Sequence, residues 1–205
     1  CTLFFFFFIY TDSKCSPPCW NGVTPGVADA AQVKTALQNL SVVNQRDPHN
    51  YETPQPPDGF AFHRVLVDGG DLAIRLKNDQ VVSVYLADKS GETANDVIRQ
   101  VGPPEYVYAE YQGAENIQLL IFLLYPSKGA YYLVVDKPQT SPLSSEDRIE
   151  STMVVSEAAF VTPGTIQSMF DALGQKEGLG QCITAQAQPW PGFGPIKVRP
   201  ITTPC

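Results

Sequence analysis

Thr93-Ala-Asn-Asp-Val97-Ile-Arg-Gln-Val101-Gly102-Pro103-Pro104 is the stretch on which the fold turns. Thr93 followed three positions on by Asp96 is a helix-start signature, since each side chain can accept from the other's unpaired backbone N–H. Val97 and Val101 stand four apart and fall on one helix face. Gly102 permits a left-handed stop, and two prolines prevent continuation. A short amphipathic helix is therefore written here with both of its ends.

The same grammar occurs twice more. Asp29-Ala-Ala-Gln-Val33 and Thr165-Ile-Gln-Ser-Met169 each place a capping residue four positions before an apolar one. Leu37 and Leu173 then repeat the role of Val101, and Gly174 ends the third helix as Gly102 ends the second. Val23-Thr-Pro-Gly26 and Val161-Thr-Pro-Gly164 recur word for word before the first and third helices.

Between these helices the pattern is that of strands. Segments 59–67, 72–76 and 81–87 follow the first helix, with Asn78-Asp79 as a tight hairpin turn. Segments 106–111, 117–125 and 131–136 follow the second, with Pro126-Ser-Lys-Gly129 as a turn, and 151–161 is a last long strand. The expected fold is α+β: tandem modules of a helix plus an antiparallel β-meander, with the helices packed on one face of the sheet. Residues 1–14 read as an apolar N-terminal tether, 15–88 and 89–161 as the two modules, and 162–205 as a partial third unit with a Pro/Gly-rich tail. Segment 44–57 reads as a loop within the first module.

With 205 residues, 17% of them charged, and 33 prolines and glycines in all, the chain can bury a real core and has many turns. A net charge of -7 and scattered lysines and arginines argue against a nucleic-acid partner. No apolar run approaches the ~20 residues needed to span a bilayer.

Cys1 heads the chain and is followed by Phe4–Phe8. A cysteine exposed by leader cleavage is the residue that bacterial lipoproteins acylate, so Cys1 is the expected lipid-attachment site. The phenylalanines are then a membrane-surface segment or an added strand. Four cysteines remain, Cys15, Cys19, Cys182 and Cys205, which suits two disulfides in an exported chain with three possible pairings. Cys15–Cys19 and Cys182–Cys205 is the first choice, although the intervening Pro17-Pro18 could hold the former pair apart.

Motifs for catalysis are absent. There is no Gly-x-Ser-x-Gly word, and Gly69-Gly70 lacks the Lys and Ser/Thr of a phosphate loop. Asp47, His49 and Glu52 are metal-ligating types in one polar loop, but no second His or Cys accompanies them, so no metal and no cofactor is expected. His63 reads as a sheet position, and Glu146 and Asp147 as a solvated turn. Aromatic residues carry the binding expectation: Tyr106 and Tyr108 share a sheet face, and with Tyr131 or Tyr132 they can line a concave surface. Trp190, in Trp190-Pro-Gly-Phe-Gly194, is a further candidate contact, whereas Trp20 is expected to pack on the core.

Cys19-Trp-Asn-Gly-Val-Thr-Pro-Gly26, Asp96-Val-Ile-Arg-Gln-Val-Gly-Pro-Pro104 and Leu123-Leu-Tyr-Pro126 resemble a group of uncharacterised bacterial lipoproteins over roughly residues 15–195. More remotely, the unit of cap, helix, Gly-Pro stop and strands is similar to the module of β-lactamase-inhibitory protein and of the SmpA/OmlA-type envelope lipoprotein. The resemblance implies a non-catalytic, lipid-anchored envelope protein on the extracytoplasmic side, binding or scaffolding another protein or envelope component. A secreted inhibitor-like module and a hydrolase with an unrecognised site are the alternatives.

Overall fold

α1 (Ala30–Asn39), α2 (Ala94–Val101) and α3 (Ile166–Ala172) each begin one residue after the caps Asp29, Thr93 and Thr165. Thr93 and Asp96 form the reciprocal box: the Asp96 N–H donates to the Thr93 hydroxyl oxygen, while the Thr93 hydroxyl and N–H donate to the Asp96 carboxylate. Those two hydrogen bonds, the hydroxyl's first, hold the Asp96 carboxyl below its ordinary range. Asp29 with Gln32, and Thr165 with Ser168, repeat the arrangement.

The structure is a computed structural model that describes residues 15–39, 51–53, 60–67, 70–87, 91–113, 117–136, 146–175 and 178–199. The tether 1–14 with Cys1 and Phe4–Phe8, as well as Asp47, His49 and Cys205, lies outside the described residues.

Seven long strands make the sheet: β2 (Phe60–Val67), β3 (Gly70–Lys77), β4 (Gln80–Ala87), β5 (Tyr106–Gln112), β6 (Gln118–Tyr125), β7 (Ala130–Val135) and β9 (Val154–Val161). Two short strands extend it, β1 (Tyr51–Thr53) and β10 (Gln188–Pro189). The order is β1-β2-β3-β4-β9-β7-β6-β5-β10, antiparallel throughout. The fold is thus α+β, as expected. Within the segment read as a loop, β1 pairs with β2 and sets Glu52 opposite His63 in register. A separate two-stranded ribbon joins β8 (Glu146–Ile149) to β11 (Gly194–Lys197).

β6 explains the layering. Its sequence, Gln118-Leu-Leu-Ile-Phe-Leu-Leu-Tyr125, has no polar alternation, and such a strand needs cover on both faces. Leu119, Ile121, Leu123 and Tyr125 join a core with Val33 of α1 and Val97 and Val101 of α2. Leu120, Phe122 and Leu124 join a second core with Met169 and Phe170 of α3, and with Cys182 and Ile183 of α4 (Leu179–Gln186). The helices therefore do not all pack on one face: α1 and α2 share one core with β6, and α3 and α4 the other. The apolar faces of α3 and α4 belong to the other side, because the second face of β6 and β7 would otherwise leave its leucines and tyrosines in water.

α4 was not legible in the sequence. It has no side-chain N-cap, and it is seated by packing at Gly180, where a Cβ would lie 2.0 Å from the Gln175 carbonyl oxygen and 2.9 Å from Phe170 Cβ. Cys15 and Cys19 are bridged, with Cα atoms 5.6 Å apart and a cis Pro17–Pro18 peptide between them. The prolines do not hold the pair apart. Cys182 is also disulfide-bonded, and its expected partner Cys205 falls outside the described residues. No described helix is long and apolar enough to cross a membrane.

Candidate functional site

The outer edge of β5 is closed by the chain that follows α4, and this closure builds the candidate site. Gln188 and Pro189 pair with Val107 and Tyr106, and the Trp190 N–H then donates to the Glu105 carbonyl at 3.2 Å. The chain leaves the edge, turns through Gly192 (φ 90°), and runs back as β11 against β8. It returns to β5 at Arg199, whose N–H donates to the Ala109 carbonyl at 2.9 Å. The Gln188 side-chain amide closes the neck on the Lys197 carbonyl at 3.0 Å. The two ends of the loop thus meet on β5, with β11 paired to β8 between them.

Aromatic residues occupy the tip. Trp190 is half-buried against the core that contains α1 and α2, and Phe193 meets its ring edge-on at 5.7 Å between centroids. Phe193 is 42% exposed. Tyr106, opposite Pro189 in register, is 37% exposed and lies on the other face of the strand. Pro189, Pro191 and Pro195 are exposed along the same loop. Ile196 and Val198 reach back into the core, so the tip is displayed from a buried base.

The base of the loop carries a buried polar network. Arg199 Nη1 donates to Glu110 Oε2 at 2.6 Å, and the Tyr108 hydroxyl donates to the same oxygen at 2.7 Å. Burial first, and the Glu110 carboxylate second, hold the Tyr108 phenol far above its ordinary range. Arg199 remains a cation, its own burial being offset by Tyr108 and Glu110.

The expected binding residues thus separate. Tyr106 and Trp190 come to one end of β5. Tyr108 does share a sheet face with Tyr106, but it is covered by α3 and α4 and committed to Glu110. Tyr131 and Tyr132 are buried as well, Tyr131 stacked on Phe170 at 5.8 Å and Tyr132 edge-on to Phe160. The concave aromatic surface read from the sequence exists as the row Tyr108, Phe122, Tyr131, Phe170, and it is core. Trp20 is core too, as expected. Phe193 was overlooked, although the word Trp190-Pro-Gly-Phe-Gly194 contains it. Asp147, read as solvated surface, accepts from the Tyr111 hydroxyl at 2.8 Å and ties β8 to β5.

A second polar group lies where α3 ends. Arg75 Nη1 donates to the Ala172 carbonyl at 3.0 Å, and Tyr85 hydrogen-bonds Glu157, whose carboxyl is raised above its ordinary range by burial against that opposing bond. Arg75 is committed to the helix end and Glu157 to Tyr85, as supports of the fold. Among the described residues no three His, Cys, Asp or Glu side chains converge as metal ligands.

No family model matches the chain. No curated protein matches it either. Among solved structures, a cysteine-rich secretory protein from Staphylococcus aureus is similar at 11% identity and a TM-score of 0.33, over 69% of this chain and 49% of that one. The chain therefore spans about half the length of that neighbour.

Proposed function

We propose that this chain is a non-catalytic binding protein of the cell envelope, anchored through a lipid on Cys1 and contacting an extracytoplasmic protein with the aromatic loop 189–195 and Tyr106. One observation carries the reading: exposed Phe193 stands against Trp190 in a loop fastened at both ends to β5 and along β11 to β8. Aromatic side chains bury large areas at small entropy cost, and a loop held in place loses little freedom on binding. Tight internal pairing of the buried polar groups, Tyr108 with Glu110 and Arg199 foremost, favours a supporting role for them over chemistry.

The strand order adds a finer proposal. β1 to β4 and then β9, β7, β6 and β5 read as two meanders joined at their last strands, each preceded by a helix on the same face. We infer two tandem modules, with α3, α4 and the loop as an addition to the second.

In-cell photo-crosslinking tests the contact. A photoreactive phenylalanine analogue at position 193 should give a discrete protein adduct that disappears when Trp190→Ala is added. The same probe at Val27, which is 73% exposed, should give none. Equal adducts from both positions, or none from 193, would sink the proposal. Anchoring is tested separately, by palmitate incorporation that Cys1→Ser should abolish.

A further inference from the structure

The polar network at the base of the loop has no role in the contact itself, yet it sits where the loop returns. A buried ion pair contributes little net stability relative to apolar residues of the same size, since desolvation offsets the attraction. What it does contribute is position, because a guanidinium and a carboxylate paired in a largely covered site accept few alternative geometries. Glu110 is 7% exposed, and its Oε2 receives both the Arg199 guanidinium and the Tyr108 hydroxyl. Arg199 Nη1 also stands 3.4 Å from the Tyr108 oxygen. Three side chains on two segments thus share one oxygen.

That point is the second of the loop's two fastenings to β5. The first pairs Gln188 and Pro189 with Val107 and Tyr106 and ends in the Trp190 N–H bond to Glu105, Pro189 itself having no N–H to give. The return at Arg199 is parallel to β5, bridging Glu110, whereas the departure at β10 is antiparallel. β11 takes its register from β8, but the two contacts with β5 run in opposite directions and form no continuous ladder on that edge. The side-chain network adds to the Arg199 backbone bond in holding the return on β5.

We propose that Glu110 and Arg199 are positioning residues for the aromatic tip: their pairing under Tyr108 fixes where the loop rejoins β5, and thereby the pose of Trp190 and Phe193. The inference rests on the reading of that tip as a contact surface, but its physical content is a coupling within the chain. Loss of the pair frees the return, the neck between Gln188 and Lys197 loosens, and the Trp190–Phe193 edge contact is lost.

The test reads the loop without any partner. Trp20 is only 2% exposed, so collisional quenching of tryptophan fluorescence by acrylamide reports chiefly on Trp190. In Glu110→Gln/Arg199→Met, which removes both charges together, the quenching constant should rise about twofold and exchange of the Trp190 amide about tenfold, while amides of β6 and β7 stay at wild-type rates. Arg199→Lys, which keeps the charge but not the planar fork, should show the same effect at smaller size and serves if the double variant does not fold. A Trp190 amide and quenching constant unchanged in a folded variant would overturn the proposal. Crosslinking from position 193 is scored in parallel. A network that moves Trp190 in a chain giving no adduct would refute the contact and leave the coupling standing.

Discussion

A Cβ placed on Gly26 would lie 2.7 Å from Oγ1 of Thr162, so the two Thr-Pro-Gly words meet in the folded protein. Their contact closes one end of the junction between β4 and β9: the Gly26 N–H donates to the Val81 carbonyl, and Ser83 is opposite Val161 in register. Gly26 is needed twice over, for that approach and for its φ of 81°.

Gly26→Ala should therefore cost about 1–3 kcal/mol in urea unfolding. Gly22→Ala is the control, since its φ of 80° is alike but nothing lies within 4 Å of the added carbon. The excess cost at Gly26 should shrink when Thr162→Ala is combined with it. Equal costs at both glycines would show that backbone strain alone acts.

Phe170 stacks on Tyr131 with the planes 17° apart and is fully buried between α3 and the sheet. Phe170→Ala should destabilise by about 3–5 kcal/mol, through lost apolar burial and a cavity that the sheet cannot collapse to fill. A cost below about 1 kcal/mol would mean that α3 is not seated on this face.

Lys128 donates to the Val101 carbonyl at the end of α2 and stands 5.8 Å from the centre of the Tyr125 ring. Lys128→Met should lower stability by about 1 kcal/mol, because a cation at a helix C-terminus meets the negative end of its dipole. Lys128→Arg should retain most of that, which thermal unfolding will read.

Glu157 makes stability depend on pH with a sign opposite to that of a salt-bridged carboxylate. Burial raises its folded pKa above the ordinary 4.5, so the folded state holds the proton more tightly than the unfolded chain does. Its contribution is full below the ordinary value and is lost as pH rises through the folded one. Glu157→Gln should match wild type at about pH 4 and exceed it at about pH 7 in urea midpoint. A wild type that gains on the variant as pH rises would reverse the assignment.

The helix starts were legible because a cap and its partner sit three residues apart. Thr93 with Asp96, and Thr165 with Ser168, close their hydrogen bonds locally whatever the rest of the chain does. Strand positions were legible for a similar reason, the turns at Asn78-Asp79 and Pro126–Lys128 being written in residues that tolerate or impose them. α4 was not, since glycines open it and its stability comes from Phe170 and the sheet beneath. Phe193 was in view but unranked, because exposure is not a property of a five-residue word.

The sequence by itself determined the α+β class, the caps and the seven long strands, and it left the bridge between Cys15 and Cys19 as the first choice among three pairings. Only the tertiary structure decided that α3 and α4 take the opposite sheet face, that Tyr108 becomes core, and that Trp190 comes to the edge of β5 beside Tyr106. Caps and turns are settled over a few residues by backbone hydrogen bonds. Which face a helix covers depends on the apolar area every strand leaves open, and β6, apolar on both sides, left two.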